Sequence, residues 1–195
     1  MKRITLFGGS FNPIHKGHVG LAEYVVRRGL TDELWLMVSP QNPLKQSPGL
    51  MDENFRLSLA EHAVADIDGV VVSDFEFSLP RPSYTYDTLQ ALKKAYPDCT
   101  FQLLIGADNW LCFDKWYRGA DILQEHKLLV YPREGYPIDV ENLPQSVQYV
   151  DAPLFPWSST QIREALLKNL DVSEILPKEL NNEEIISQVK RMIQI

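Results

Sequence analysis

Residues 8–18 read GGSFNPIHKGH, and their reading decides the fold. Just before them, Ile4 to Phe7 is a short, mostly apolar run that suits a buried strand. Just after, from Gly17, the apolar period changes, and Val19, Ala22, Val25 and Val26 fall on one helical face. Arg27 and Arg28 suit that helix's negative end, and Gly29 its stop. The stretch is therefore a turn from strand into helix. Gly8 and Gly9 let the backbone come close to a ligand. A helix starting near Gly17 offers unpaired N–H groups and a partial positive charge, which suit an anion. His15 sits before the helix and His18 in its first turn, spaced so that both imidazoles face the same way, with Gly17 leaving room between them.

Two better-known phosphate loops are excluded. Gly8 and Gly9 are adjacent and the next glycine is Gly17, so the dinucleotide pattern G-x-G-x-x-G is absent; so is any GK[ST]. A metal site would need more ligands, and His62 and His126 are scattered. No partner for a nucleophilic triad is near in sequence. Two imidazoles that donate to a phosphate in transfer fit better, because charge gathers on its non-bridging oxygens. Read locally, the alternative is that both histidines only cap the helix and pack.

Outward from this turn, strands and helices alternate. Leu34–Val38, Val70–Val72, Phe101–Ile105, Leu128–Tyr131 and the weaker Val147–Val150 read as strands. Between them, Asp52 caps a helix bearing Leu57, Ala60 and Val64; another carries Leu89, Leu92 and Tyr96; a Trp-rich helical segment follows Gly106. Ser158 and Gln161 have capping-box spacing ahead of Ile162, Ala165 and Leu166. Residues 181–195 read as an amphipathic helix. This alternation predicts an α/β, Rossmann-like, doubly wound and mainly parallel sheet, one domain over 1–195 with a core to 168 and a helical tail over 169–195. Ligands of such sheets sit at the carboxyl ends of the strands. The polar loops GGSFNPIHKGH, PQNPLK, SYTYDT, GADNWLCFDKWY, PREGY and SSTQIR all follow strands, so they should meet in one crevice.

Composition narrows the class further. The chain has 195 residues, 45% of them apolar, and a net charge of −7. That balance argues against a nucleic-acid coat but leaves room for a phosphorylated substrate held by a few local cations. Cys99 and Cys112 match neither a redox pair nor a zinc site. No window approaches the roughly 20 apolar residues of a membrane span, and no signal peptide is evident. A cytoplasmic protein is expected; the oligomeric state is left open.

Several candidates have a plain structural reading too. Ser158 can be an ordinary cap, Asp108 can cap the helix after it, Trp116 and Tyr117 can be core aromatics, and Lys45 a solvated loop lysine. Arg56 reads as structural or surface.

GGSFNPIHKGH resembles the signature of the HxGH nucleotidyltransferase superfamily. Later stretches are similar to its nicotinate-nucleotide adenylyltransferase family: WSSTQIR to ISSTxIR, SYTYDTL to SYTxDTL, IGADNW to the GADN segment, and PREGY to an RxGY-like segment. The resemblance spans roughly residues 4–168. Three departures stand out. Trp157 replaces an aliphatic residue, Leu44 stands where a histidine is common, and EILPKELNNEEI matches the family's closing pattern only loosely.

The resemblance implies transfer of the adenylyl group from ATP to nicotinate mononucleotide, giving nicotinate adenine dinucleotide and pyrophosphate in NAD biosynthesis. His18, His15 and Lys45 would serve the reacting phosphates. Gly8, Gly9, Ser10, Phe11, His15, His18, Gly106, Asp108, Arg133, Ser158, Ser159, Thr160 and Arg163 would hold ATP. Asn12, Lys45, Tyr84, Thr85, Trp116 and Tyr117 would hold nicotinate mononucleotide. Mg²⁺ would arrive on the ATP phosphates, with no protein ligand. Sibling enzymes that adenylylate phosphopantetheine or nicotinamide mononucleotide would share the ATP half and differ in the acceptor half. A non-catalytic nucleotide sensor would keep the phosphate cradles without needing the histidines. Class I aminoacyl-tRNA synthetases share an HIGH-like loop, but the KMSKS-like loop is absent.

Overall fold

Each apolar run expected to be a strand is one, and all six join a single sheet in the computed structural model, which describes residues 1–40 and 49–193. The strands are β1 (Lys2–Gly9), β2 (Glu33–Val38), β3 (Val70–Ser73), β4 (Cys99–Gly106), β5 (Lys127–Tyr131) and β6 (Val147–Tyr149). Their order is β3-β2-β1-β4-β5-β6, and every pairing is parallel. The order reverses between β1 and β4, so the crevice of a doubly wound sheet opens at the carboxyl end of β1, where GGSF begins.

Strand side chains alternate between two cores, as period two requires. Leu34, Leu36 and Val38 of β2 face a core shared with α1 (Lys16–Arg27), α2 (Glu53–Val64) and α6 (Ser159–Leu167). Trp35 and Met37 face the opposite core, with Leu89 and Leu92 of α3 (Thr85–Ala95) and Ile122 of α5 (Gly119–Glu125). α1 stops as its sequence suggests: Arg28 is the C-cap and Gly29 adopts φ +65°, a conformation glycine takes without a Cβ penalty. The Trp-rich segment is less regular than expected. It breaks into a single-turn α4 (Ala107–Trp110) and a 3-10 turn (Phe113–Lys115) before α5.

The tail is part of the domain rather than an appendage. Val172, Leu176, Leu180 and Val189, the last on α7 (Glu183–Ile193), are buried in the α1–α2–α6 core. Its carbonyls also reach the start of α1: the Lys16 N–H donates to Ile175 O at 2.9 Å and Lys16 Nζ to Ser173 O at 2.9 Å. Among the described residues no helix is long and apolar enough to cross a membrane.

Candidate active site

Two cavities open at the carboxyl ends of the strands. The first, about 440 Å³, is reached by residues at or beyond the carboxyl ends of β1 to β5: Gly8 and Ser10, Ser39, Glu76 and Ser83–Thr85, Lys115–Tyr117, and Tyr131. The second, about 220 Å³, lies over α1 and is lined by His15, His18, Arg133, Trp157 and Ser158. Phe7 and Tyr131 line both, so the cavities adjoin at that pair. Among the described residues, the loops after β1, β3, β4 and β5 and the start of α6 therefore meet in these two adjoining cavities, as expected. Residues 41–48, with Leu44 and Lys45, lie outside the described residues.

The imidazoles meet through a reciprocal cap. His15 is the N-cap of α1, and its Nδ1 accepts the Gly17 N–H at 3.1 Å. The Nδ1 of His18 accepts the His15 N–H at 3.3 Å. The two rings stack with centroids 3.7 Å apart. A backbone N–H can only donate, so both Nδ1 atoms must carry lone pairs. Each neutral ring then holds its proton on Nε2, and neither Nε2 has a protein partner among the described residues. The capping and functional readings of the histidines thus describe one arrangement. The cap uses Nδ1 and leaves Nε2–H as a donor.

The surroundings keep both rings uncharged. Burial, then the Arg133 charge, brings His15 down to about 4. Burial, then His15 and Arg133, hold His18 well below the usual imidazole value. Phe11 packs edge-on against His18 at 5.0 Å, and Phe7 lies 6.0 Å from it. Gly17 is tightly enclosed: a Cβ would lie 3.0 Å from the His15 ring and 3.0 Å from Phe155 Cβ, so a side chain there would push these neighbours back.

One expectation is corrected. The first N–H groups of α1 do not await an anion. Lys16 donates to Ile175 O, Gly17 to His15 Nδ1, and His18 to His15 O. The donors offered to a ligand are the imidazole Nε2–H groups.

Loop 8–14 is held from behind. Gly8 has open space where a Cβ would project, whereas at Gly9 that space belongs to the Phe11 ring, 3.0 Å away. Phe11 is buried at φ +44°, a backbone conformation that costs about 1–3 kcal/mol in a non-glycine residue and persists only when its surroundings impose it. Its side chain belongs to the core and lines neither cavity. Arg56 supplies much of the constraint. It is fully buried, and donates to Met51 O, Ser10 O, Ser39 O and Pro40 O. The structural reading of Arg56 is the correct one, and the surface reading is not.

Asn12 also points away from the cavities. Its buried amide donates to Gly49 O at 3.0 Å and accepts from Met51 N–H at 3.0 Å, so its side chain ties the loop to the approach of α2. The start of α6 divides its roles. Ser158 and Gln161 form the expected capping box, and both line the second cavity. Ser159 Oγ donates to Pro13 O and Arg163 Nη1 to Asn12 O, bracing the histidine loop, while Thr160 Oγ1 accepts from Arg163 Nη2. Neither Ser159, Thr160 nor Arg163 lines either of these two cavities.

Gly106 lines the first cavity, and Asp108 stands behind it, 3.5 Å from Arg133 Nε. Asp108 Oδ1 is buried without a hydrogen-bond partner. A Cβ on Gly106 would meet that carboxylate, so a side chain there would displace Asp108.

In the first cavity, Tyr84 is the N-cap of α3 and makes no side-chain cap; Thr85 is the first helical residue. Ser83, Tyr84, Thr85 and Thr88 line the cavity, so the start of α3 borders it without a capping side chain, unlike the starts of α1 and α6. The Tyr84 and Tyr117 rings lie 4.9 Å apart, and Trp116 lies 4.9 Å from Phe113 with its indole N–H buried and unpartnered.

Three lining residues were not singled out from sequence. Glu76 accepts from Ser39, Thr88 and Ser83 hydroxyls, and burial, partly opposed by those bonds, raises it above its ordinary value. Lys115 brings a cation beside Trp116; the FDKWY string was its only signal. Tyr131 packs edge-on to Phe7 at 6.0 Å, and burial pushes its phenol up to about 12.

Sheet order, crevice and paired imidazoles define a nucleotidyltransferase of the α/β type, and the cytidylyltransferase-like family pattern matches residues 6–165. The fold is shared with a Plasmodium falciparum nicotinic acid mononucleotide adenylyltransferase complexed with NaAD, at TM-score 0.76 and 19% identity over 100% of this chain and 95% of that one. The sequence comparison is narrower. A probable nicotinate-nucleotide adenylyltransferase of Bacteroides fragilis is 48% identical over 88% of this chain and 85% of its own length. One of Porphyromonas gingivalis is 42% identical over 88% of each. This chain belongs to the nicotinate-nucleotide adenylyltransferase family.

Proposed function

We propose that the chain catalyses ATP plus nicotinate mononucleotide to nicotinate adenine dinucleotide plus pyrophosphate. The observation that carries this reading is the pair of adjoining cavities, with the Nε2–H donors of His15 and His18 in the smaller one. ATP would occupy the smaller cavity, its α-phosphate near the Phe7–Tyr131 seam. Nicotinate mononucleotide would occupy the larger, its ring beside Trp116 and Tyr117 and its carboxylate at the uncapped start of α3. The mononucleotide phosphate oxygen then attacks the α-phosphorus in line, the new P–O bond forms, and the bond to pyrophosphate breaks with pyrophosphate taking the electron pair. No covalent enzyme intermediate is needed, so the protein's task is positioning and stabilising charge. His18, with His15, donates to the α-phosphate. Neutral donors suit this role because they need no proton transfer to act. Arg133 and Lys115 add local cations that reconcile a −7 chain with two anionic substrates.

Among the described residues no group of three or more His, Cys, Asp or Glu is placed to hold a metal ion. We assign Mg²⁺ to the ATP phosphates, whose charge it offsets. Cys99 and Cys112 are free thiols, which suits a reducing, cytoplasmic setting.

The test is pyrophosphate release from ATP with four acceptors offered separately: nicotinate mononucleotide, nicotinamide mononucleotide, phosphopantetheine and glycerol phosphate. Nicotinate mononucleotide should give the highest kcat/KM. A higher value with any of the others overturns the named acceptor.

A further inference from the structure

The smaller cavity is lined by polar groups, among them His15, His18, Arg133 and Ser158, and by a wall of Phe155, Pro156 and Trp157. The wall is anchored. A Cβ at Gly20 would lie 2.8 Å from the Phe155 ring, and one at Gly17 3.0 Å from Phe155 Cβ, so Phe155 packs into the space these two glycines leave on α1. Trp157 lies two residues on, its ring 6.3 Å from that of Phe155 and tilted by 34°. Trp157 is half-buried, so part of its surface is open to an occupant.

Resting on the adenylyl-transfer reading, we propose that Trp157 is the base-stacking residue of the ATP site and sets its preference for a purine. Reach and shape single out this residue. Phosphates held by the imidazoles and the start of α6 leave the base to extend along the same cavity, and the residue immediately before the α6 cap is Trp157. An indole presents a broad, flat surface to a base π-face, and a two-ring purine covers more of it than a one-ring pyrimidine. Phe155, seated against α1, flanks the indole at 6.3 Å. An aliphatic residue at this position, as in the motif this segment resembles, would supply contact but no such plane. Stacking on an aromatic side chain is a large term for a base, so its loss should be easy to read.

The experiment compares wild type, Trp157→Phe and Trp157→Leu in steady state with nicotinate mononucleotide and either ATP or CTP, and titrates tryptophan fluorescence with ATP alone. Trp157→Leu should raise the ATP KM about tenfold, leave the nicotinate mononucleotide KM within about twofold, and narrow the ATP-over-CTP preference. Trp157→Phe should recover most of the ATP affinity. ATP should quench wild-type fluorescence, and most of that quench should vanish in Trp157→Phe. An ATP KM in Trp157→Leu within about twofold of wild type, or an unchanged quench in Trp157→Phe, overturns the proposal. Equal rises in both substrates' KM also overturn it, since that marks a general distortion. Failure of the wild type to use nicotinate mononucleotide would instead overturn the reaction assigned above, and the ATP titration would still report on Trp157.

Discussion

His18 has two separable tasks, and two substitutions divide them. Its Nδ1 accepts the His15 N–H at 3.3 Å and closes the cap of α1, while its Nε2–H is the proposed donor to the α-phosphate. Asparagine places an amide oxygen where Nδ1 stood and leaves nothing at Nε2. Glutamine reaches the Nε2 position but gives up the short acceptor. Losing a donor to the developing charge costs about 10²–10³ in kcat. Losing a cap costs about 0.5–2 kcal/mol, and each kcal/mol is worth about 2–4 °C in Tm for a domain of this size. His18→Asn should therefore lose about 10²-fold or more in kcat with Tm within about 2 °C of wild type. His18→Ala should lose both rate and several degrees. His18→Gln should retain more rate than His18→Asn and less thermal stability. Pyrophosphate release at saturating substrates and a thermal melt read the two effects separately. His18→Asn turning over within tenfold of wild type would refute the donor role.

Three further outcomes follow from the same geometry. Stability should fall as pH falls. His15 titrates near 6.5 when unfolded and at about 4 when folded, so its contribution is full above about pH 6.5 and drains away from there toward about pH 4. The loss from His15 alone is about 2 kcal/mol by pH 5, and urea unfolding at pH 7.5 and pH 5 checks it; equal stabilities would contradict the buried neutral ring. Arg56→Lys should cost about 3 kcal/mol or more, because a lysine cannot reproduce a guanidinium fork donating to four carbonyls. Denaturant unfolding measures it, and a loss under about 1 kcal/mol would show the bonds to be incidental. Glu76→Gln should raise the acceptor KM about fivefold, the worth of one net hydrogen bond, and leave the ATP KM alone, because Glu76 braces Ser39, Ser83 and Thr88 around the larger cavity only. A parallel rise in both KM values would contradict that.

Local patterns announced the parts of this protein that depend on neighbours in sequence. Val19, Ala22 and Val25 gave α1 its period, Gly29 its stop, and Ser158 with Gln161 the α6 cap, and each forms as read. The crevice was legible for the same reason, since alternating strands and helices force the loops to one edge. The bracing of the site was not legible, because its contacts join residues far apart. Arg56 resembles any arginine on a helix until Ser10, Ser39 and Pro40 present carbonyls to it. Asn12 sits beside a phosphate-type loop, yet its amide is claimed by Gly49 and Met51. Lys16 meets Ser173 across 157 residues, and no periodicity records that. The free first-turn N–H groups expected of α1 were a local inference too, and a side chain of the same motif, His15, fills one of them.

The central claim is that the helix cap fixes both imidazoles as neutral Nε2–H donors, and ¹⁵N-detected NMR of His15 and His18 in the unliganded protein tests it most directly. At pH 7 both rings should show an unprotonated Nδ1 and a protonated Nε2, and His15 should stay uncharged until the pH approaches about 4. A proton on Nδ1 of either ring, or an imidazolium at neutral pH, would contradict the account.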